Sequence, residues 1–161
     1  MTLLDNTYFT GILELPQMKY HCGAVGVELA IQATGEYSLN YFIEKYEPGF
    51  MDKLLGKELY RNFLEGLLIV PVPVIWNDLK DVIYRKGNIY SFSPVANYVY
   101  IMASITAQTQ TTTLGEMDES SGMAKSVSVY PKLEVASVDM KEQLKEVYRY
   151  LKDNWDTYKP Y

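Results

Sequence analysis

The chain has 161 residues, with 15 Lys and Arg against 20 Asp and Glu, one His and one Cys, for a formal net charge of −5. The lone cysteine, Cys22, excludes an internal disulfide framework, and the lone histidine, His21, leaves too few soft ligands for an ordinary zinc site. The acidic balance opposes wrapping nucleic acid by phosphate neutralisation and opposes docking on an anionic membrane.

Folding a chain of this length removes about 70% of its extended surface from water, so a single domain spanning 1–161 with an ordinary core is expected. No run approaches the ~20 apolar residues of a membrane span. The N-terminus lacks the basic-then-apolar pattern of a signal peptide, which makes a reducing cytosol the expected compartment. Charge is spread evenly enough to exclude a basic arm or an acidic tail: residues 1–40 carry one base and four acids, residues 137–161 five of each. The compositional oddity is tyrosine, with 15 against 5 Phe and 2 Trp.

In chain order, residues 1–37 read as strand and turn. Val25, Val27, Leu29 and Ile31 alternate with less apolar neighbours at period two, and Tyr8 to Leu15 ends at Pro16, so an N-terminal β-hairpin is expected. From Ser38, a plausible N-cap, the period becomes helical through Leu39, Phe42, Ile43 and Tyr46. Pro48 disfavours helical geometry at Glu47 and predicts a kink or restart there. The apolar set continues through Phe50, Leu54 and Leu55 to Gly56, and a new helix runs from Lys57 through Leu59, Tyr60, Phe63, Leu64 and Leu67.

Pro71 and Pro73 precede a helix carrying Trp76, Leu79, Val82 and Ile83, closed by Gly87-Asn88. Ser93-Pro94 is a strong helix start, followed by Val95, Tyr98, Val99, Met102 and Ile105 on one face. The last helix is expected from Ser137 or Asp139, where Asp139 and Glu142 resemble a capping box, and presents Met140, Leu144, Val147, Leu151 and Trp155. Between these helices, residues 108–136 are too long for an ordinary connection. Val127 and Val129, then Leu133 and Val135, alternate around Pro131 like two short edge strands or extended arms. The expected architecture is therefore mainly α, with α+β character at the margins: a bundle of four to five helices formed by 38–107 and 137–157, an N-terminal β-hairpin, and a long arm at 108–136.

Little in the chain points to catalysis. His21-Cys22 are adjacent, so their side chains seldom converge, and no third group orients them. Gly23-Ala24-Val25-Gly26 precedes a strand pattern and lacks the Lys-Ser/Thr of a phosphate loop. The pairs Asp78/Asp81 and Glu44/Glu47, interleaved with Lys45, Lys80 and Arg85, read as solvated salt-bridging faces. Glu116, Asp118 and Glu119 lack the spacing of a calcium loop. No catalytic, cofactor-binding or metal-ligating residue is assigned, and no cofactor is expected.

The tyrosines carry more information. At about 100° per residue, Tyr41 and Tyr100 fall opposite the apolar faces of their helices and are expected to point outward, whereas Tyr46 and Tyr98 fall in the core. Tyr148 and Tyr150 flank the stripe of the last helix. Tyrosine suits interfaces because one end of the ring is apolar and the other polar. With the apolar residues of the arm, these rings define an expected oligomer or partner surface: Tyr41, Tyr100, Leu114, Met117, Met123, Val127, Val129, Tyr130, Leu133, Tyr150 and Tyr158.

The run from Tyr41-Phe42-Ile43-Glu44-Lys45-Tyr46-Glu47-Pro48-Gly49-Phe50 through Met51-Asp52-Lys53-Leu54-Leu55-Gly56-Lys57-Glu58-Leu59-Tyr60, with Phe63 and Gly66-Leu67, resembles small proteins encoded in phages and prophages of gut Bacteroidetes. Ser93-Pro94-Val95-Ala96-Asn97-Tyr98-Val99-Tyr100, the Thr-rich stretch ending Leu114-Gly115-Glu116, and the terminal Asn154-Trp155-Asp156-Thr157-Tyr158 fit the same pattern in the same order, so the resemblance covers residues 38–161. That group is similar to the head-tail connector, or head-completion, proteins of tailed phages. The resemblance implies a helical domain with a long arm, assembled as a ring beneath the portal, with no catalytic residues. It also implies the partners: further copies of the chain, the portal and tail proteins, and double-stranded DNA only as cargo. The implied location is the virion, after the bacterial host cytoplasm. Alternatives are a tail terminator or minor tail protein and, from another class, a small metal-dependent enzyme using Glu116, Asp118 and Glu119. A DNA-binding regulator is disfavoured by charge.

Overall fold

In the computed structural model, which describes residues 2–15, 38–88, 90–112, 115–118 and 130–161, Ser38 is extended and the chain turns at once into α1, Leu39–Leu55. Leu39, Phe42, Ile43, Met51 and Leu54 are buried along it at helical spacing. The expected restart at Pro48 is absent: the helix runs through it without a break. A proline inside a helix costs about 3 kcal/mol through its missing N–H and its clash with the preceding turn. Phe42 and Ile43 before it and Met51 and Leu54 after it enter the same core, and that shared burial outweighs the local cost.

Gly56 then takes φ +82° and ψ 155°, a conformation essentially confined to glycine. It redirects the chain into α2, Lys57–Leu67, whose Tyr60, Phe63 and Gly66 are buried. A Cβ on Gly66 would lie 2.1 Å from the Trp76 indole, so glycine is what lets α3, Val74–Ile83, pack this closely. Trp76, Leu79 and Ile83 form the buried stripe of α3, as their spacing predicts. Gly87 does not close that helix. It belongs to the turn of a short antiparallel hairpin in which β1, Arg85–Lys86, pairs with β2, Ser91–Phe92.

Ser93-Pro94 starts a helix as expected. The Ser93 hydroxyl accepts a hydrogen bond from the Val95 amide at 3.2 Å, and α4 runs Pro94–Gln108. This helix packs on α1 on one side and on α5 on the other. Val95, Ala96, Asn97, Val99, Tyr100, Ala103 and Ser104 are all buried, so it is enclosed on most of its circumference. The Asn97 side-chain amide donates to the Ser93 carbonyl (3.2 Å) and to Gln143 Oε1 (3.1 Å), tying α4 to α5.

Directly after α4, β3, Thr109–Thr112, pairs antiparallel with β4, Gly115–Asp118, in the register Thr109↔Asp118 and Thr112↔Gly115. The last long helix, α5, spans Tyr130–Asp153 and begins seven or more residues earlier than the capping-box reading places it. Leu133 and Val135 are therefore helical, not strand, and Asp139 and Glu142 lie inside the helix. Pro131 is the second residue of α5, in the first turn, where its missing N–H costs nothing. A four-residue helix, α6, Trp155–Tyr158, ends the fold.

Upstream, Tyr8 to Leu15 is not a strand. Residues Asn6–Tyr8 and Gly11–Leu13 form single 3₁₀ turns, and Leu4, Tyr8 and Phe9 enter the main core. The Val25–Ile31 alternation lies outside the described residues, as do His21, Cys22 and the glycines around them. Among the described residues the chain is mainly α with marginal β: five helices of ten residues or more and two small antiparallel hairpins.

Candidate functional site

The expected partner surface divides. Tyr41 points outward, 47% exposed, with the Lys45 ammonium donating to its hydroxyl at 3.2 Å. Tyr130 is exposed at the start of α5, and Leu133 is half-buried against the core. Tyr100 contradicts its expected orientation. It is 2% exposed because α4 is buried on the face opposite Val95 and Val99 as well, so a one-face reading of the helix fails. Ile105, placed inward by the same reading, is exposed. Tyr158 is buried, its hydroxyl donating to the Ile75 carbonyl at 2.9 Å and lying 3.0 Å from the hydroxyl of half-buried Tyr150. Burial pushes the Tyr158 phenol well above its ordinary range, with the Tyr150 hydroxyl adding to it.

Met117 stands opposite Gln110 in the β3–β4 register, while Leu114, Met123, Val127 and Val129 lie outside the described residues. Tyr130 and Tyr150 are separated by about 30 Å of α5 at 1.5 Å per residue. The expected residues that are described thus do not converge on one patch. Of those described, Tyr100 and Tyr158 are core, and Tyr41, Tyr130, Leu133 and Tyr150 are spread over α1 and the length of α5.

Two surface features that helical periodicity does not reveal are more coherent. Leu68-Ile69-Val70-Pro71-Val72-Pro73-Val74 joins α2 to α3 and carries no charge. Leu68, Val70 and Val74 are 70%, 92% and 72% exposed, so the turn projects as an aliphatic knob. The sequence signal is the uncharged aliphatic run itself, which two prolines disguise as simple punctuation.

The second feature is a groove of about 370 Å³ where the end of α1 and the start of α2 face the end of α5. Leu54, Leu55, Leu59, Leu151, Tyr148 and Trp155 supply its apolar lining. Trp155 is not on the buried stripe of α5. The helix breaks at Asn154, and the indole stands exposed beside the groove.

A third cluster lies inside. Glu47, expected on a solvated face, is 1% exposed. Its Oε1 accepts from the Tyr84 hydroxyl at 2.7 Å and from the Leu3 amide at 3.0 Å, whereas its Oε2 has no hydrogen-bond partner among the described residues. The Tyr8 hydroxyl in turn donates to the Tyr84 carbonyl at 3.2 Å. The cluster clasps the N-terminal segment onto α1 and the end of α3.

Burial pushes the Glu47 carboxyl above the ordinary carboxylate range, opposed by its bonds to Tyr84 and to the Leu3 amide. Burial and the neighbouring Glu47 charge push the Tyr84 phenol far up, and burial carries Tyr60 to about 12. With Glu47, Tyr84 and Tyr8 all sealed from solvent, the cluster is a clasp and offers no surface to a substrate. At the surface, Asp5 ion-pairs with Lys86 at 3.0 Å and Arg85 with Glu146 at 3.1 Å.

Among the described residues, no group of three or more His, Cys, Asp or Glu is placed to hold a metal ion, and no helix is long and apolar enough to cross a membrane. Comparisons with protein-family models, with curated proteins and with solved structures each return no match.

Proposed function

We propose that the protein is a non-enzymatic structural component of a tailed-phage virion, a head-tail connector that docks on the portal as a ring and continues the DNA channel. The observation that carries this reading is the placement of the β3–β4 hairpin. It follows without a break from α4, the most enclosed helix of the core, so the start of the connection between α4 and α5 stands on a well-packed base. An arm held in this way reaches a neighbouring molecule without sacrificing the fold that carries it. Because residues 130–136 are helical, the arm is confined to 109–129.

The acidic balance suits the role, since negative channel walls repel passing phosphates. A ring also needs two different surfaces per subunit, because only heterologous contacts repeat around an axis. The protein would reside in the host cytoplasm before assembly and in the virion after it.

Replacing residues 109–129 by a short flexible linker tests the reading. The truncated protein is expected to keep its helical circular dichroism and its cooperative unfolding, and to lose co-migration with purified portal. Undiminished portal binding refutes the arm's role. Co-migration of the intact chain with tail-tube protein and not with portal replaces the connector by a tail terminator or minor tail protein.

A further inference from the structure

Residues 2–15 lie against the body of the protein as a strap. Regular structure within it is limited to two single 3₁₀ turns, so the strap holds little backbone hydrogen bonding of its own. Leu4, Tyr8 and Phe9 anchor it in the core. The turn at Asn6–Tyr8 packs on β2, and the turn at Gly11–Leu13 packs on α4 and α5. Its polar ties leave from the first half: the Leu3 amide to Glu47 Oε1, the Asp5 carboxylate to Lys86, the Thr7 hydroxyl to Ser91 and the Tyr8 hydroxyl to the Tyr84 carbonyl. A segment with few buried anchors opens before the rest of a fold does.

The tie to Glu47 differs from the others. Both hydrogen bonds to this buried carboxyl fall on Oε1, while Oε2 has no partner among the described residues. Facing it from the strap are the Leu3 and Leu4 amides, the amino-terminal charge and Tyr8; Tyr84 faces it from the end of α3 and Tyr60 from α2. Among the described residues no Lys or Arg side chain pairs with it. A carboxyl sealed from water in this way favours its neutral form.

We infer that residues 2–15 are a proton-gated strap, docked while Glu47 is neutral and released when it ionises, because release returns the carboxylate to water. Release bares the seats of Leu4, Tyr8 and Phe9 and leaves the helical core folded. The device stands apart from the connector reading, and its test needs only this protein.

Burial holds the docked Glu47 carboxyl above its ordinary value, opposed by Tyr84, by the Leu3 and Leu4 amides and by the amino-terminal charge. Docking is therefore full below about pH 4, the ordinary carboxylate range, and weakens by up to about tenfold per pH unit as pH rises from there to the docked value. Asp5 acts in the opposite sense. Burial raises its carboxyl, but the bonds to Thr7 and Lys86 outweigh burial and hold it below its ordinary value. It weakens docking only as pH falls below about 4, and the α-amino group loses its charge only near about pH 8. Between about pH 5 and about pH 7, Glu47 is thus the group of this interface that titrates.

Hydrogen–deuterium exchange of the full chain, read by peptide and corrected for the intrinsic rise of exchange with pH, tests the gate. Protection of the peptide spanning residues 2–9 is expected to fall several-fold from about pH 5 to about pH 7, while peptides from α4 keep theirs. Glu47→Gln retains an acceptor for both bonds and cannot ionise, so its strap protection is expected to stay level over the same range. Unchanged wild-type protection, or an equal fall in wild type and Glu47→Gln, overturns the inference. A fall shared by α4 makes the opening global and overturns it as well. Should Glu47→Gln not fold, Tyr84→Phe decides: it lacks a donor that favours the carboxylate and is expected to deepen the fall, and a fall no deeper than in wild type overturns the inference.

Discussion

Replacing Tyr84 by phenylalanine deletes one oxygen from the interior and leaves the ring in place. In the native protein that oxygen donates to Glu47 Oε1 at 2.7 Å, with both side chains sealed from solvent. A buried hydrogen bond to a charged group contributes about 1.5–3 kcal/mol, against about 0.5–1.5 kcal/mol when both partners are neutral. For a protein of this length, 1.5–3 kcal/mol corresponds to a fall in Tm of about 3–12 °C.

The pH dependence makes the test specific. Burial raises the Glu47 carboxyl above its ordinary value, so the folded state holds that proton more tightly than the unfolded chain does. Its contribution is therefore fully present below the unfolded value, about pH 4, and declines as pH rises through the folded one. The Tyr84 hydroxyl opposes that rise by favouring the carboxylate. Removing it raises the folded value further and steepens the decline. Urea unfolding of wild type and Tyr84→Phe at about pH 4 and about pH 9, on either side of the ordinary neutral range, is expected to give a small difference in acid and a loss near the upper figure in alkali. A loss that is equal at both, or larger in acid, refutes the assignment of Tyr84 as a donor to an ionisable Glu47.

Two further changes examine the frame that carries the surfaces. Ser93→Ala removes the buried acceptor for the Val95 amide at the start of α4 and is expected to cost about 0.5–2 kcal/mol in denaturant unfolding. Gly66→Ala drives a methyl group into the Trp76 indole and is expected to cost about 1–3 kcal/mol. It should also shift tryptophan fluorescence, since Trp76 is buried and Trp155 is the only other indole.

Helix starts are the most legible part of this chain, because they depend on chemistry within a few residues. Ser93-Pro94 combines a hydroxyl acceptor with a residue that needs no N–H, and α4 begins there. Ser38 also marks a start, although its hydroxyl is buried with no partner among the described residues and makes no capping bond. Features that depend on tertiary surroundings are the ones local rules misjudge. Pro48 breaks a helix only when nothing holds the two halves together, and here one core holds both. Asp139 and Glu142 have capping-box spacing, yet Leu133 and Ala136 give the preceding turns a place in the core, and the helix starts at Tyr130 instead.

The candidate surfaces follow the same division. Tyr41 is legible because α1 has one buried face. Tyr100 is not, because α4 lies between two helices and burial no longer follows a single stripe. Glu47 has a solvent-facing look in sequence, three residues from exposed Glu44, and only the docking of Tyr84 and the Leu3 amide makes its burial tolerable.

The tyrosine excess acquires a physical role from these positions. Tyr8, Tyr84 and Tyr158 each place a ring in the core and a hydroxyl on a group of a different element: Tyr8 on the Tyr84 carbonyl, Tyr84 on Glu47, and Tyr158 on the Ile75 carbonyl. A phenylalanine supplies the burial without the bond, and a serine the bond without the burial. Tyrosine does both, which suits a chain whose single cysteine cannot form an internal disulfide.

The ties join the elements that flank both candidate surfaces. The Tyr8–Tyr84–Glu47 clasp fixes the end of α3 to α1, and the Tyr158–Ile75 bond fixes the end of the chain beside the start of α3. The knob between α2 and α3 and the groove beside α6 are thereby carried on elements joined to one another through buried hydroxyls. Surfaces held on such a frame lose little conformational freedom on binding, so more of a small buried area is realised as affinity.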